Sequence, residues 1–176
     1  MPDRFLHESR LGELTASTRE GQPTLVRRIA LLGVSEQTQS LLERSAEWGS
    51  SVLDDAVVAI LTAEREEERL SIVSEHVPGI PLARLLALAR EMDVTMPVPA
   101  ALRAVSDLLD ALVVLHEHPK PDGYEPRFGG VSPDGVWVGR DGRVRLFEPG
   151  ISAVASARGP FADDVVRVRY RAPEAV

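Results

Sequence analysis

The chain has 176 residues, 44% of them hydrophobic and 27% charged, with a formal net charge of −7 and no cysteine. That length holds one sizeable core or two small ones, and the hydrophobic share is that of a folded globular protein. The acidic balance argues against nucleic acid as the main partner, and the missing thiols exclude disulfides, a cysteine nucleophile and thiolate zinc sites. No apolar run approaches the roughly 18–20 residues of a membrane span. Met1-Pro2-Asp3-Arg4 lacks the basic-then-apolar profile of a signal peptide. A cytoplasmic location is the expectation, for the chain alone or as the cytosolic part of a longer membrane protein. The histidines His7, His76, His116 and His118 are too scattered to read as a metal cluster.

The first half reads as short strands around one helix. A turn at Gly21-Gln22-Pro23 leads into an apolar, β-branched run from Thr24 to Leu32, which reads as a strand. Ser35 is placed to cap a helix reaching Trp48, with Leu41, Leu42, Ser45 and Trp48 at helical spacing. Val52-Leu53 and Ala56 to Leu61 read as strand. Leu70 to Val73 is their hairpin partner across the charged run Glu64-Arg65-Glu66-Glu67-Glu68-Arg69, which reads as a solvated turn.

The pattern changes at Val77-Pro78-Gly79. Pro81 to Arg90 reads as a short helix with proline in its first turn. Pro99 to His116 is the longest helical segment. Leu102, Val105, Leu108, Leu109, Leu112, Val113 and Leu115 cover more than one of its faces, so it should be largely buried, with part of its surface covered by something outside this chain. After a loop rich in Pro and Gly, Val136-Trp137-Val138 and Val144-Arg145-Leu146 form a hairpin turned at Arg140-Asp141-Gly142.

The strip from Phe128 to Gly150 carries the spacing of a catalytic loop H-R-D-x-x-x-x-N, a hairpin and D-F-G. Phe128, Gly129 and Gly130 stand at the H-R-D positions, Gly135 at the metal-binding Asn, and Glu148-Pro149-Gly150 at D-F-G. Ile72 to Gly79 looks like a last strand and hinge, with Ser74 at the gatekeeper position. Arg171-Ala172-Pro173-Glu174 looks like an A-P-E triplet. In this order and spacing the chain resembles the serine/threonine protein kinases, above all those of bacteria, over about the first two-thirds of a kinase domain.

The resemblance implies an α+β, bilobal fold. Residues 1–77 would be an antiparallel N-lobe with one helix, and 78–176 a truncated helical C-lobe with the catalytic-loop hairpin and activation segment. It also implies which residues would hold a nucleotide. The phosphate loop G-x-G-x-x-G-x-V falls on His7, Ser9, Gly12 and Leu14, so one glycine remains. Arg27 takes the place of the strand lysine, with Glu43 on the next helix as its ion-pair partner. Glu75 and Val77 offer hinge backbone groups. Glu148 is the remaining candidate for magnesium. His116 takes the place of a histidine that packs structurally.

Phosphoryl transfer needs held phosphates, magnesium and a carboxylate near the substrate hydroxyl. Gly130 and Gly135 have no side chain, so neither base nor metal ligand is intact at those positions, and ATP and magnesium are expected to bind weakly or not at all. The expected function is a pseudokinase with a regulatory or scaffolding role, acting through a protein partner or a downstream part of its own polypeptide. The alternatives are a diverged active serine/threonine kinase using Glu148 and Asp134, and a non-catalytic nucleotide sensor.

Overall fold

The computed structural model describes residues 4–9, 12–121 and 131–151. Phe128, Gly129, Gly130 and the Arg171–Glu174 triplet lie outside them, as do the side chains of His7 and Ser9.

Strands β1 (Arg4–Ser9), β2 (Gly12–Arg19) and β3 (Gln22–Ala30) form an antiparallel meander. The β2–β3 turn is Glu20–Gly21, one residue earlier than the sequence signal. Both residues have positive φ, 52° and 81°, as a two-residue hairpin turn with the right twist requires. Gln22 and Pro23 therefore open the strand. Helix α1 (Glu36–Ser50) follows, and the Ser35 side chain accepts from the Thr38 N–H at 3.3 Å, which satisfies one of the free N–H groups of the first turn.

The next segment divides differently from the sequence expectation. Val52 and Leu53 are not in a strand, and β4 is only Val57–Val58, which pairs in parallel with a strand of a second sheet. Strands β5 (Ile60–Glu66) and β6 (Arg69–Glu75) are the expected hairpin. Most of the charged run is strand, and only Glu67–Glu68 turn. The first sheet has the order β1-β2-β3-β6-β5.

Beyond the hinge come β7 (Gly79–Pro81), α2 (Leu82–Glu91) and α3 (Val98–Glu117). A single 3-10 turn at Pro133–Gly135 leads into β8 (Val136–Gly139) and β9 (Val144–Phe147). The second sheet runs β4-β9-β8-β7. The two sheets, one helix behind the first and two beside the second, make the α+β, two-lobed architecture expected from the sequence.

Helix α3 is where that expectation fails. Among its residues only Ala111 and Leu115 are buried, whereas Val98, Leu102, Val105, Leu109 and Val113 are 53–71% exposed. Apolar spacing on a helix reports a face that prefers cover, and the described residues supply cover along one side only. His116 also differs. It is exposed, and His118 does the packing instead, edge-on to Trp48 at 5.8 Å between centroids and 2.8 Å from Ser51 Oγ.

Candidate functional site

Leu25, Arg27 and Ile29 alternate along β3 and so share one face of the sheet. Leu25 belongs to a cluster with Leu14, Val58, Trp137 and Phe147, and Ile29 to another with Leu42, Ala46, Leu70 and Ile151. Arg27 stands between the two clusters and is fully buried. An isolated guanidinium there would be prohibitively desolvated. Its Nε donates to Glu148 Oε2, and its Cζ lies 5.4 Å from the centroid of the Phe147 ring, close enough for a cation–π contact.

Glu148 follows directly on β9 and is 3% exposed. Its φ is +51°, a conformation that a non-glycine residue adopts only where its surroundings enforce it. Those surroundings are a turn closed by the Ile151 N–H on the Glu148 carbonyl at 3.2 Å, with Ile151 fully buried in the core. Burial pushes the Glu148 carboxyl above its ordinary value, and the Arg27 guanidinium pulls the other way. Among the described residues nothing hydrogen-bonds Glu148 Oε1.

The expected Arg27–Glu43 pair does not form. Glu43 instead receives Arg65 Nη1 at 2.6 Å, and Arg65 Nη2 reaches Gln39 Oε1 at 2.7 Å. The buried stripe of α1 is Thr38, Leu42, Ser45, Ala46 and Gly49, and it carries no carboxylate. At about 100° per residue, Glu43 falls to the side of that stripe, where it meets the β5 edge rather than the sheet's inner face. Gly49 belongs to the stripe for steric reasons, since a Cβ there would come within 2.8 Å of Ile60 Cδ1.

Both hinge residues are engaged within the chain. Glu75 donates its N–H to the Ala59 carbonyl at 2.9 Å, and its Oε1 accepts from the Ala59 N–H at 3.0 Å. The Val77 carbonyl accepts from the Trp137 indole N–H at 3.1 Å. Trp137 packs on Phe147 with ring centroids 5.3 Å apart, and both are at most 2% exposed. The two rings share one buried cluster with Leu14, Leu25 and Val58, and Val77 of the hinge packs against it. Beside this cluster a cavity of about 500 Å³ opens at the hinge, lined by Leu6, Pro23, His76, Ile80, Trp137 and Arg140 among others.

Gly12 has a steric task within the sheet. Its φ is +116°, and a Cβ there would sit 1.9 Å from the Arg28 carbonyl oxygen of the neighbouring strand. The glycine lets β2 approach β3 at the start of their pairing. Gly135 is buried in the turn before β8, with its N–H on the Ser132 carbonyl at 2.9 Å.

The sequence reading passed over the Trp137–Phe147 contact, although two large aromatics in one short hairpin were visible in a chain with so few. It also passed over Asp107. That carboxylate on α3 accepts from the Val144 N–H at 2.9 Å and from Arg103 at 2.8 Å, tying the long helix to β9.

The carboxylate at the metal position is buried against a cation, and the cation at the lysine position is held by that carboxylate. Gly135 offers no ligand.

No family model and no curated protein matches the chain. Solved structures do. The kinase domain of Mycobacterium tuberculosis PknI superimposes with a TM-score of 0.70 at 18% identity, over 85% of this chain and 57% of that one. A single-mutant form of that domain gives 0.70 and 18% over 85% and 58%, and a double-mutant form 0.70 and 19% over 84% and 59%. The chain has a protein kinase-like fold. It spans less than two-thirds of the length of the kinase domains it matches.

Proposed function

We propose that this chain is a kinase-shaped module that does not transfer phosphate, and that it acts by binding protein. The observation that carries the proposal is the Arg27–Glu148 pair. A buried cation and a buried carboxylate pair with each other in the cleft where the fold would place the phosphates and the metal. Releasing either group to a nucleotide would break a buried ion pair, which costs more than engaging exposed side chains of an open cleft. Trp137 and Phe147 are buried against the hinge residue Val77, whose carbonyl already accepts the Trp137 indole N–H. The exposed apolar side chains of α3 support a role in binding, either to a partner protein or to another part of the same polypeptide.

Thermal melting with and without ATP and magnesium tests this together with an autophosphorylation assay. A ligand at 100 times its dissociation constant adds about 2.7 kcal/mol of stability, which a melting curve registers easily. The expected result is no shift at low millimolar ATP and no phosphate incorporation with magnesium or manganese. A magnesium-dependent shift without incorporation would favour nucleotide sensing. Incorporation abolished by Glu148→Ala would establish an active kinase.

A further inference from the structure

The first sheet ends at β5, and no described strand pairs with its outer side. Every second residue of an edge strand points its N–H and C=O away from the sheet, where they can pair with another chain. A groove runs between this edge and α1, with a volume of about 560 Å³. Ala46 and Leu70, both buried, lie at its floor. Leu61 is 56% exposed beside it.

Leu61 is also where the β5–β6 register shifts, between Ile60 and Thr62. Such a bulge leaves one residue out of the ladder and re-aims its side chain. From Thr62 to Glu66 the pairing with β6 is regular, so the outer edge beyond the bulge is a straight template. Across the groove, Glu43 and Glu47 stand one helical turn apart on α1. Arg65 neutralises Glu43, so the groove keeps a net negative charge.

We propose that this groove docks an extended peptide with an apolar side chain flanked by lysine or arginine, added as a sixth strand along β5. The main chain of the peptide pairs with the β5 edge, its apolar side chain packs on Leu61 over Ala46 and Leu70, and its cation faces Glu47. A second copy paired edge to edge is a poor occupant, because it would bring the same net-negative groove against this one. The proposal is independent of whether the cleft binds nucleotide.

A fluorescein-labelled heptapeptide, SKVLVRS, titrated with the whole chain and followed by anisotropy, tests it. Saturable binding is expected, weakened about tenfold or more by Leu61→Asp and by Glu47→Lys, each a substitution on an exposed side chain. Methylating alternate backbone nitrogens of the peptide should abolish binding, because it removes the donors a strand needs. Absence of binding at about 1 mM peptide overturns the proposal. So does unchanged affinity for the N-methylated peptide or for the Leu61→Asp chain, either of which would mean a diffuse charge attraction. Melting curves of both variants confirm that they remain folded, so that a loss of binding is read at the groove.

Discussion

Arg27 on β3 and Glu148 after β9 are 121 residues apart in the chain and form a buried ion pair that links the two sheets. A pair so placed is stabilising only in comparison with its own broken halves. Removing one partner of a buried pair leaves an uncompensated charge and costs about 3–5 kcal/mol, whereas replacing both with apolar groups of similar volume is neutral or favourable. Glu148→Gln should therefore lower stability by about 3 kcal/mol or more. Arg27→Met combined with Glu148→Gln should recover most of that loss. Urea unfolding of the three chains measures it, and a double variant no better than the single would mean that the pair is not the coupled unit described here.

Gly12→Ala should destabilise the chain without regard to any ligand. The new Cβ would collide with the Arg28 carbonyl, and positive φ adds strain of about 1–3 kcal/mol. The midpoint of denaturant unfolding should fall clearly. A variant as stable as the parent would return Gly12 to the phosphate-loop role suggested by the sequence.

The exposed side of α3 and its buried side should respond in opposite ways. Leu115→Ala empties a core position and should cost about 2–5 kcal/mol. Leu102→Lys with Leu109→Lys changes side chains that are 65% and 58% exposed, so stability should move by only about 0.5 kcal/mol per site. The same pair of changes should reduce self-association and binding of a hydrophobic dye. A parent chain that is monomeric in sedimentation and binds no dye would refute a sticky α3 surface.

Acid should weaken the β8–β9 turn at a definable pH. The Arg145 guanidinium and then the Arg143 N–H hold the Asp141 carboxyl down to about 2, from an ordinary value of 3.8. The folded value is the lower one, so the stabilisation is present above pH 3.8 and is lost as the pH falls through about 2. Asp141→Asn should be less stable than the parent at neutral pH, and the difference should vanish at the acid end of that window. A constant difference across the window would assign the effect to something other than ionisation.

Local chemistry was legible in the sequence. The Ser35 cap, the hairpin turned at Arg140-Asp141-Gly142 and the short helix after Pro81 depend on residues within one turn of one another, and they formed as read. The lack of side chains at Gly130 and Gly135 is likewise a fact of composition that no fold can alter. What only the tertiary structure decided was partnership across long separations. Arg27 had two carboxylates to choose between, Glu43 on the next helix and Glu148 beyond β9. The choice followed from which face of α1 turns inward and from how β9 meets β3. Trp137 and Phe147 came together with Leu14 and Leu25 for the same reason, since a strand's alternation says which side a ring takes but not what lies opposite. The apolar spacing of α3 gave the strength of its preference for cover, and the arrangement of the other described residues left that preference only half met.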